Sequence, residues 1–160
     1  MDFQTLSDFD LDAMRRVSKT IMNPAARWVT KGGHREKNFV LCDTASPAAQ
    51  YRLFLRVSAT RSNVFSVGLA RTYSSEEVLV LARYNSGHHA HRNILERTKV
   101  PAVCHRHLAT QRYIRAGLDP DGYAEPISDY NSVDGAFDCL CRDCGIPPLK
   151  HNPFQADLEF

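Results

Sequence analysis

Apolar residues recur at three- and four-residue spacing near the start of the chain, at Phe9, Leu11, Met14, Val17 and Ile21. That period predicts an amphipathic helix, with Ser7 or Asp8 able to cap its start and Asn23-Pro24 ending it. Trp28 and Val29 begin an edge strand, and Lys31-Gly32-Gly33-His34 is a turn. From Asn38 the period changes to two. Segments 38–42, 51–57, 64–70 and 77–84 read as strands joined by short polar turns, which implies an antiparallel meander. In the second of them Tyr51, Leu53, Leu55 and Val57 share one face, and Arg52 and Arg56 share the other. The Arg pair reads as a solvated face unless that face proves continuous with other polar chemistry. Gly68 marks a bulge or a close packing contact.

After Tyr84 the alternation breaks at Asn85-Ser86-Gly87. Segment 100–107 predicts a fifth strand, 110–116 a short helix stopped by Gly117, and 123–125 a last short strand. A closing helix spans 132–144, with Asp134 at its positive end and Gly145 and Pro147-Pro148 stopping it. Ala136, Phe137, Leu140, Cys141 and Cys144 form its apolar face, while Cys139 points elsewhere. The tail 150–160 either packs back through Phe154, Leu158 and Phe160 or stays loose. The sum is one α+β domain over residues 1–160: an N-terminal helix within 1–24, an antiparallel sheet of about five strands within 38–125, and a C-terminal helix at 132–145 packed on it.

At 160 residues the chain has the size of one ordinary domain, able to bury roughly two-thirds of its unfolded surface without staples. The formal charge of +2 is too near neutral to mark a nucleic-acid binder by composition. Its distribution is uneven. Between Arg83 and Arg115 seven Arg or Lys stand against the single acid Glu96, and five of the seven His fall there. Between Asp119 and Asp143 seven acids stand against Arg142. Met1-Asp2-Phe3 does not open a secretory leader, and no apolar run reaches the ~18 residues of a membrane span. Cytoplasmic location, no membrane contact and five reduced Cys are the resulting expectations.

The concentrated chemistry is His88-His89-Ala90-His91-Arg92-Asn93, followed by His105-Arg106-His107. In an antiparallel layout the two runs approach each other at one sheet end, with His105 and His107 on one face of a strand. Two chemistries use such groups. One is acid–base cleavage of a phosphodiester, where one imidazole takes the ribose 2′-hydroxyl proton, a second acid protonates the leaving oxygen, and Arg stabilises charge on phosphorus. The other is zinc binding by His-x-His with a third His or Cys104, although no paired Cys-x-x-Cys signature supports it. Beside both stands a structural or partner-binding role. The string Cys139-x-Cys141-x-x-Cys144 reads as helix packing, because the three do not converge.

Several of these segments together resemble a known group. Residues 78–84, then Gly87 to Asn93, His105-Arg106-His107, Tyr123-Ala124-Glu125 and the helix ending Asp143-Cys144-Gly145-Ile146 resemble small uncharacterised bacterial and phage-borne proteins. Those have an exposed His-x-His near a Tyr and a closing helix that ends in Cys-Asn-Ile or similar. The likeness covers roughly residues 64–146. The order Tyr51-Arg52-Leu53-Phe54, Arg83-Tyr84-Asn85, His89-Ala90-His91 is also loosely similar to toxins of toxin–antitoxin modules of the RelE and barnase type.

Such toxins are suspected ribonucleases, and the first expectation, resting on the His–Arg clustering, is a metal-independent endoribonuclease of toxin-like type needing no cofactor. His89, His91, His105 and His107 would supply base and acid, and Arg83 and Arg92 would hold the phosphate. Tyr84 or Tyr113 would stack on bases, with Arg106 and Arg112 at hand. RNA is then the substrate, and an antitoxin or target complex the protein partner. A homodimer would cover an open sheet edge. The rival expectations are a non-enzymatic protein-binding module, such as a phage or mobile-element inhibitor, and a zinc-dependent hydrolase.

Overall fold

The computed structural model describes residues 2–149, and the tail 150–160 lies outside the described residues. A 3₁₀ turn (Phe3–Thr5) leads into α1 (Asp8–Arg16). Ten strands follow in chain order: β1 (Lys19–Ile21), β2 (Val29–Lys31), β3 (His34–Asp43), β4 (Gln50–Ser58), β5 (Phe65–Thr72), β6 (Val78–Asn85), β7 (His91–Asn93), β8 (Thr98–Val100), β9 (His105–Leu108) and β10 (Tyr123–Pro126). Helix α2 (Gln111–Arg115) precedes β10, and α3 (Val133–Asp143) closes the described chain.

The main sheet runs β1-β3-β4-β5-β6-β9-β10, with β2 also on β3, and every pairing is antiparallel. The central meander β3 to β6 follows the alternation in the sequence. The expected count of about five strands is too low. This sheet has eight strands, and β7 and β8 form a separate hairpin. The extra members are three or four residues long, too short for period two to declare itself. The expected strand over 100–107 is interrupted at Pro101, which has no N–H for a ladder, so β8 ends at Val100 and β9 starts at His105.

Helix α1 is also shorter than its apolar spacing suggested. Ser7 caps it and exchanges bonds with Asp10 in a capping box, but it ends at Arg16. Beyond it Lys19 to Ile21 pairs with the β3 edge, where the β-branched Thr20 and Ile21 fit a pleat better than a helix. Lys19 is buried there. Its Nζ donates to the carbonyls of Arg15, Val17 and Cys144 at 2.8–2.9 Å, so one ammonium satisfies the orphan carbonyls of two helix ends. Gly145 follows α3 at φ 64°, and a Cβ on it would lie 2.5 Å from the Val17 carbonyl oxygen. Only glycine allows this close approach.

The two faces of the sheet differ. The first carries Leu53, Leu55, Val67, Leu69, Leu79 and Leu81, all buried, with Leu11 of α1 and Phe137 and Leu140 of α3 packed on them. Each such side chain contributes about 1.5–3 kcal/mol of transfer free energy. Cys139, Cys141 and Cys144 are reduced and all buried in this layer. Cys139 was expected to point away, but the neighbouring layers enclose it too. Burial pushes the thiols of Cys141 and Cys144 up to about 12, so both are inert thiols.

The β7–β8 hairpin covers the β10 edge. The Asn93 side chain donates to the Ala124 carbonyl (2.8 Å) and accepts from the Ala124 amide (2.9 Å), so it pairs the free edge as a strand would. Gly87, just after β6, lies where a Cβ would come within 2.6 Å of the Val103 backbone. The segment carrying His88 and His89 is therefore pressed against the strand-leading loop before β9. No helix among the described residues is long and apolar enough to cross a membrane.

Candidate active site on the second sheet face

The alternation that buries the Leu face sends a polar set to the other side. Register alone puts Asn38, Phe54, Gly68, Arg83, His107 and Ala124 in one row across six strands. The next row holds Glu36, Arg56, Ser66, Asn85 and His105. The arginines of β4 are thus continuous with the histidines of β9, the condition under which they stop being a merely solvated face.

Over these rows lies a cleft of about 650 Å³. Arg52, Arg56, Arg83, His88, His89 and Phe54 line it, with Glu36, Asp119 and Asp121 as its acids. Arg83 pairs with Asp121 at 3.1 Å, and Arg56 approaches Glu36 at 3.7 Å. Arg52 has no carboxylate partner among the described residues; its guanidinium lies 5.9 Å from the Phe54 ring centre. Four buried side-chain atoms lack a hydrogen-bond partner among the described residues: His34 Nε2, Asn38 Oδ1, Arg52 Nε and His105 Nε2. All four belong to this second face. Buried polar groups are nearly always satisfied, so their concentration on one surface marks a place where a polar ligand would complete the bonding.

The histidines form a continuous cluster. Ring centres are separated by 4.2 Å for His88 and His89, 6.2 Å for His89 and His105, 5.1 Å for His105 and His107, and 4.6 Å for His91 and His107. Backbone carbonyls anchor three of them. His91 Nε2 bonds Gly122 O at 2.7 Å, His105 Nδ1 bonds Val103 O at 2.9 Å, and His107 Nδ1 bonds Asp121 O at 2.9 Å. Since a carbonyl only accepts, each anchored nitrogen carries the proton and the other is a bare acceptor in the neutral ring. Anchoring of this kind orients imidazoles around metals. Among the described residues, however, no group of three His, Cys, Asp or Glu is arranged to hold a metal ion.

The cluster divides by exposure. His105 is fully buried and His107 is 4% exposed, whereas His88 and His89 open to the cleft. Burial, then the neighbouring Arg83 charge, lowers His107 to about 3. Burial and the nearby His91, His89 and Arg83 lower His105 as well. His88 is lowered by partial burial and then by His89 and Arg61. Its Nδ1 rests on Ser86 Oγ at 2.9 Å, which leaves the Nε2 edge for a ligand.

Of the residues singled out in the sequence, His89, His91, His105, His107 and Arg83 come together here. Tyr84 does not; it lies on the Leu face, with its hydroxyl donating to Asp143 at 2.5 Å. Arg106 is on that face too, bonded to Glu125 and 3.9 Å from Asp143. Tyr113 is buried and donates to Glu96, and Arg112 pairs with the same Glu96 at the protein's edge. Arg92 faces outward from β7, opposite to His91 and Asn93. Phe54 carries no expected role from the sequence and His88, though part of the histidine run, is not among its catalytic candidates, while Arg52 and Arg56 enter because their face is continuous with the histidines. The strand alternation of β4, and the meander that places it one strand from β6 through β5, were the available signals. No protein-family model, curated protein or solved structure matches this chain.

Proposed function

We propose that the protein is an endoribonuclease of the toxin type, cleaving single-stranded RNA in the second-face cleft by acid–base chemistry. The observation that carries this reading is the adjacency of His88 and His89, 4.2 Å apart, in one cleft with Arg52, Arg56 and Arg83. Burial, then the neighbouring His89 and Arg61, disfavours charge on His88, which suits it to the neutral role. In the tautomer whose Nδ1–H donates to Ser86 Oγ, its Nε2 takes the 2′-hydroxyl proton. The 2′-oxygen forms a bond to phosphorus, the bond from phosphorus to the 5′-oxygen breaks, and His89 as imidazolium gives its proton to that oxygen. The guanidinium groups offset the charge that grows on the phosphoryl oxygens. His105 and His107, both lowered by burial, back the pair as a layer anchored on backbone carbonyls, with His91 anchored beside them. The likeness to toxin sequences points the same way, and no step in this scheme calls for a metal.

The test is incubation of purified protein with a mixed single-stranded RNA pool, with and without a chelator. The expected products are fragments ending in 2′,3′-cyclic phosphate, formed equally in both conditions. Cleavage that the chelator abolishes would transfer the histidine cluster to the zinc-hydrolase reading. Intact RNA throughout would contradict nuclease function.

A further inference from the structure

We infer that Phe54 is a stacking platform for a nucleobase, so that the cleft binds nucleotides through the base as well as the phosphate; this rests on the ribonuclease reading and names what the same cleft recognises. Phe54 projects from β4 opposite Gly68 of β5. A Cβ built on Gly68 would fall 2.1 Å from the Phe54 Cζ and 2.6 and 2.7 Å from the two Cε atoms. Three distances so nearly equal mean that the glycine lies beneath the end of the ring; approach from beyond its edge would leave both Cε atoms clearly farther away. The ring is therefore laid along the sheet toward Arg83, the Gly68 partner on β6, with one face on the glycine backbone. Phe54 is half-buried and lines the cleft, and the Arg52 guanidinium stands 5.9 Å over its ring centre, so a base would enter the stack at this ring beside that charge.

An apolar ring in that position has no core role to explain it, since the Leu core is on the opposite face. Its neighbours are those a nucleotide needs. On one side Asn38, in register with Phe54, has a buried Oδ1 with no partner, an acceptor suited to an exocyclic amino group. Along the same strand Arg52 has a buried Nε with no partner, and Arg83 stands one strand beyond Gly68. Arginine beside an aromatic ring is the combination that holds a phosphate while the base stacks. The bases of a single strand are free to be received this way, and RNA is the strand that the proposed cleavage requires. Gly68 is thus a spacer: any larger residue would lift the ring off the sheet and close the platform.

The experiment measures binding, independently of cleavage. Adenosine 5′-monophosphate and ribose 5-phosphate are titrated into the wild-type protein, Phe54→Leu and Phe54→Trp, with thermal melts confirming that each variant is folded. The expected result is at least about ten-fold weaker nucleotide binding by Phe54→Leu, unchanged ribose 5-phosphate binding, and retained nucleotide binding with indole quenching in Phe54→Trp. Equal nucleotide affinity in wild type and Phe54→Leu, or no nucleotide binding by the wild type, would overturn the platform. The two readings fail separately. RNA cleavage that is indifferent to Phe54→Leu removes the platform alone, whereas Phe54-dependent nucleotide binding without cleavage removes the nuclease alone.

Discussion

Lowering the pH from 6.5 to 4.5 is expected to reduce the free energy of unfolding by about 2 kcal/mol, the slope for one group approaching about 1.4 kcal/mol per pH unit below its unfolded pKa. His107 is the origin. It is 4% exposed, its Nδ1–H is committed to the Asp121 carbonyl, and Arg83 stands beside it. In the folded chain it resists protonation down to about 3, against an ordinary value of 6.5. Between those values the unfolded chain binds a proton that the folded chain refuses, so stability falls as the pH falls through this window. Above 6.5 both states are neutral and the term vanishes. His105, also lowered by burial, acts in the same direction. The upper part of the window, from 6.5 down to about 5, lies above the range in which ordinary carboxylates titrate, and the loss seen there separates this effect from general acid denaturation. Urea unfolding at pH 7.5, 6.5, 5.5 and 4.5 measures it. His107→Gln should flatten the dependence while lowering stability at neutral pH, and parallel curves for wild type and variant would show that His107 is not responsible.

The second large effect concerns activity. His88→Ala and His89→Ala are each expected to lower kcat/KM for RNA by about 10²–10⁴, the range for loss of a positioned acid or base. Both side chains are exposed to the cleft, so stability should change by no more than about 0.5 kcal/mol. His107→Ala is a different experiment. It opens a cavity under the hairpin and leaves the Asp121 carbonyl without its donor, so its loss of activity would follow loss of structure. Activity compared at matched folded fraction distinguishes the two. A His89→Ala protein with wild-type kcat/KM would remove that residue from the chemistry.

The sequence carried the meander because β3 to β6 are long enough for alternation to be unambiguous: Tyr51, Leu53 and Leu55 face the core as their spacing requires. It also carried α3, whose capping Ser132 and terminating Gly145 bracket an apolar stripe. The short strands escaped detection. Lys19-Thr20-Ile21 continues the apolar spacing of α1, and only the free edge of β3 decides that it pairs as a strand. For the site, the sequence placed His105 and His107 on one strand face near the earlier run, and that proximity is observed. It gave no depth. Which histidines are sealed depends on the Asn93 clamp that fixes the hairpin on β10, a contact spanning 31 positions. Tyr84 shows the same limit. It adjoins Arg83 in sequence, yet alternation sends it through the sheet to Asp143, while Phe54, some thirty residues earlier in the chain, lines the cleft.

The most direct test of the account observes the imidazoles themselves during binding. Long-range ¹H–¹⁵N spectra, recorded with and without a short RNA whose scissile 2′-hydroxyl is replaced by hydrogen, report each ring nitrogen separately. The account predicts that His88 and His89 shift on saturation while the anchored Nδ1–H of His107 stays in place. Ligand binding that leaves the His88 and His89 signals unmoved would contradict it.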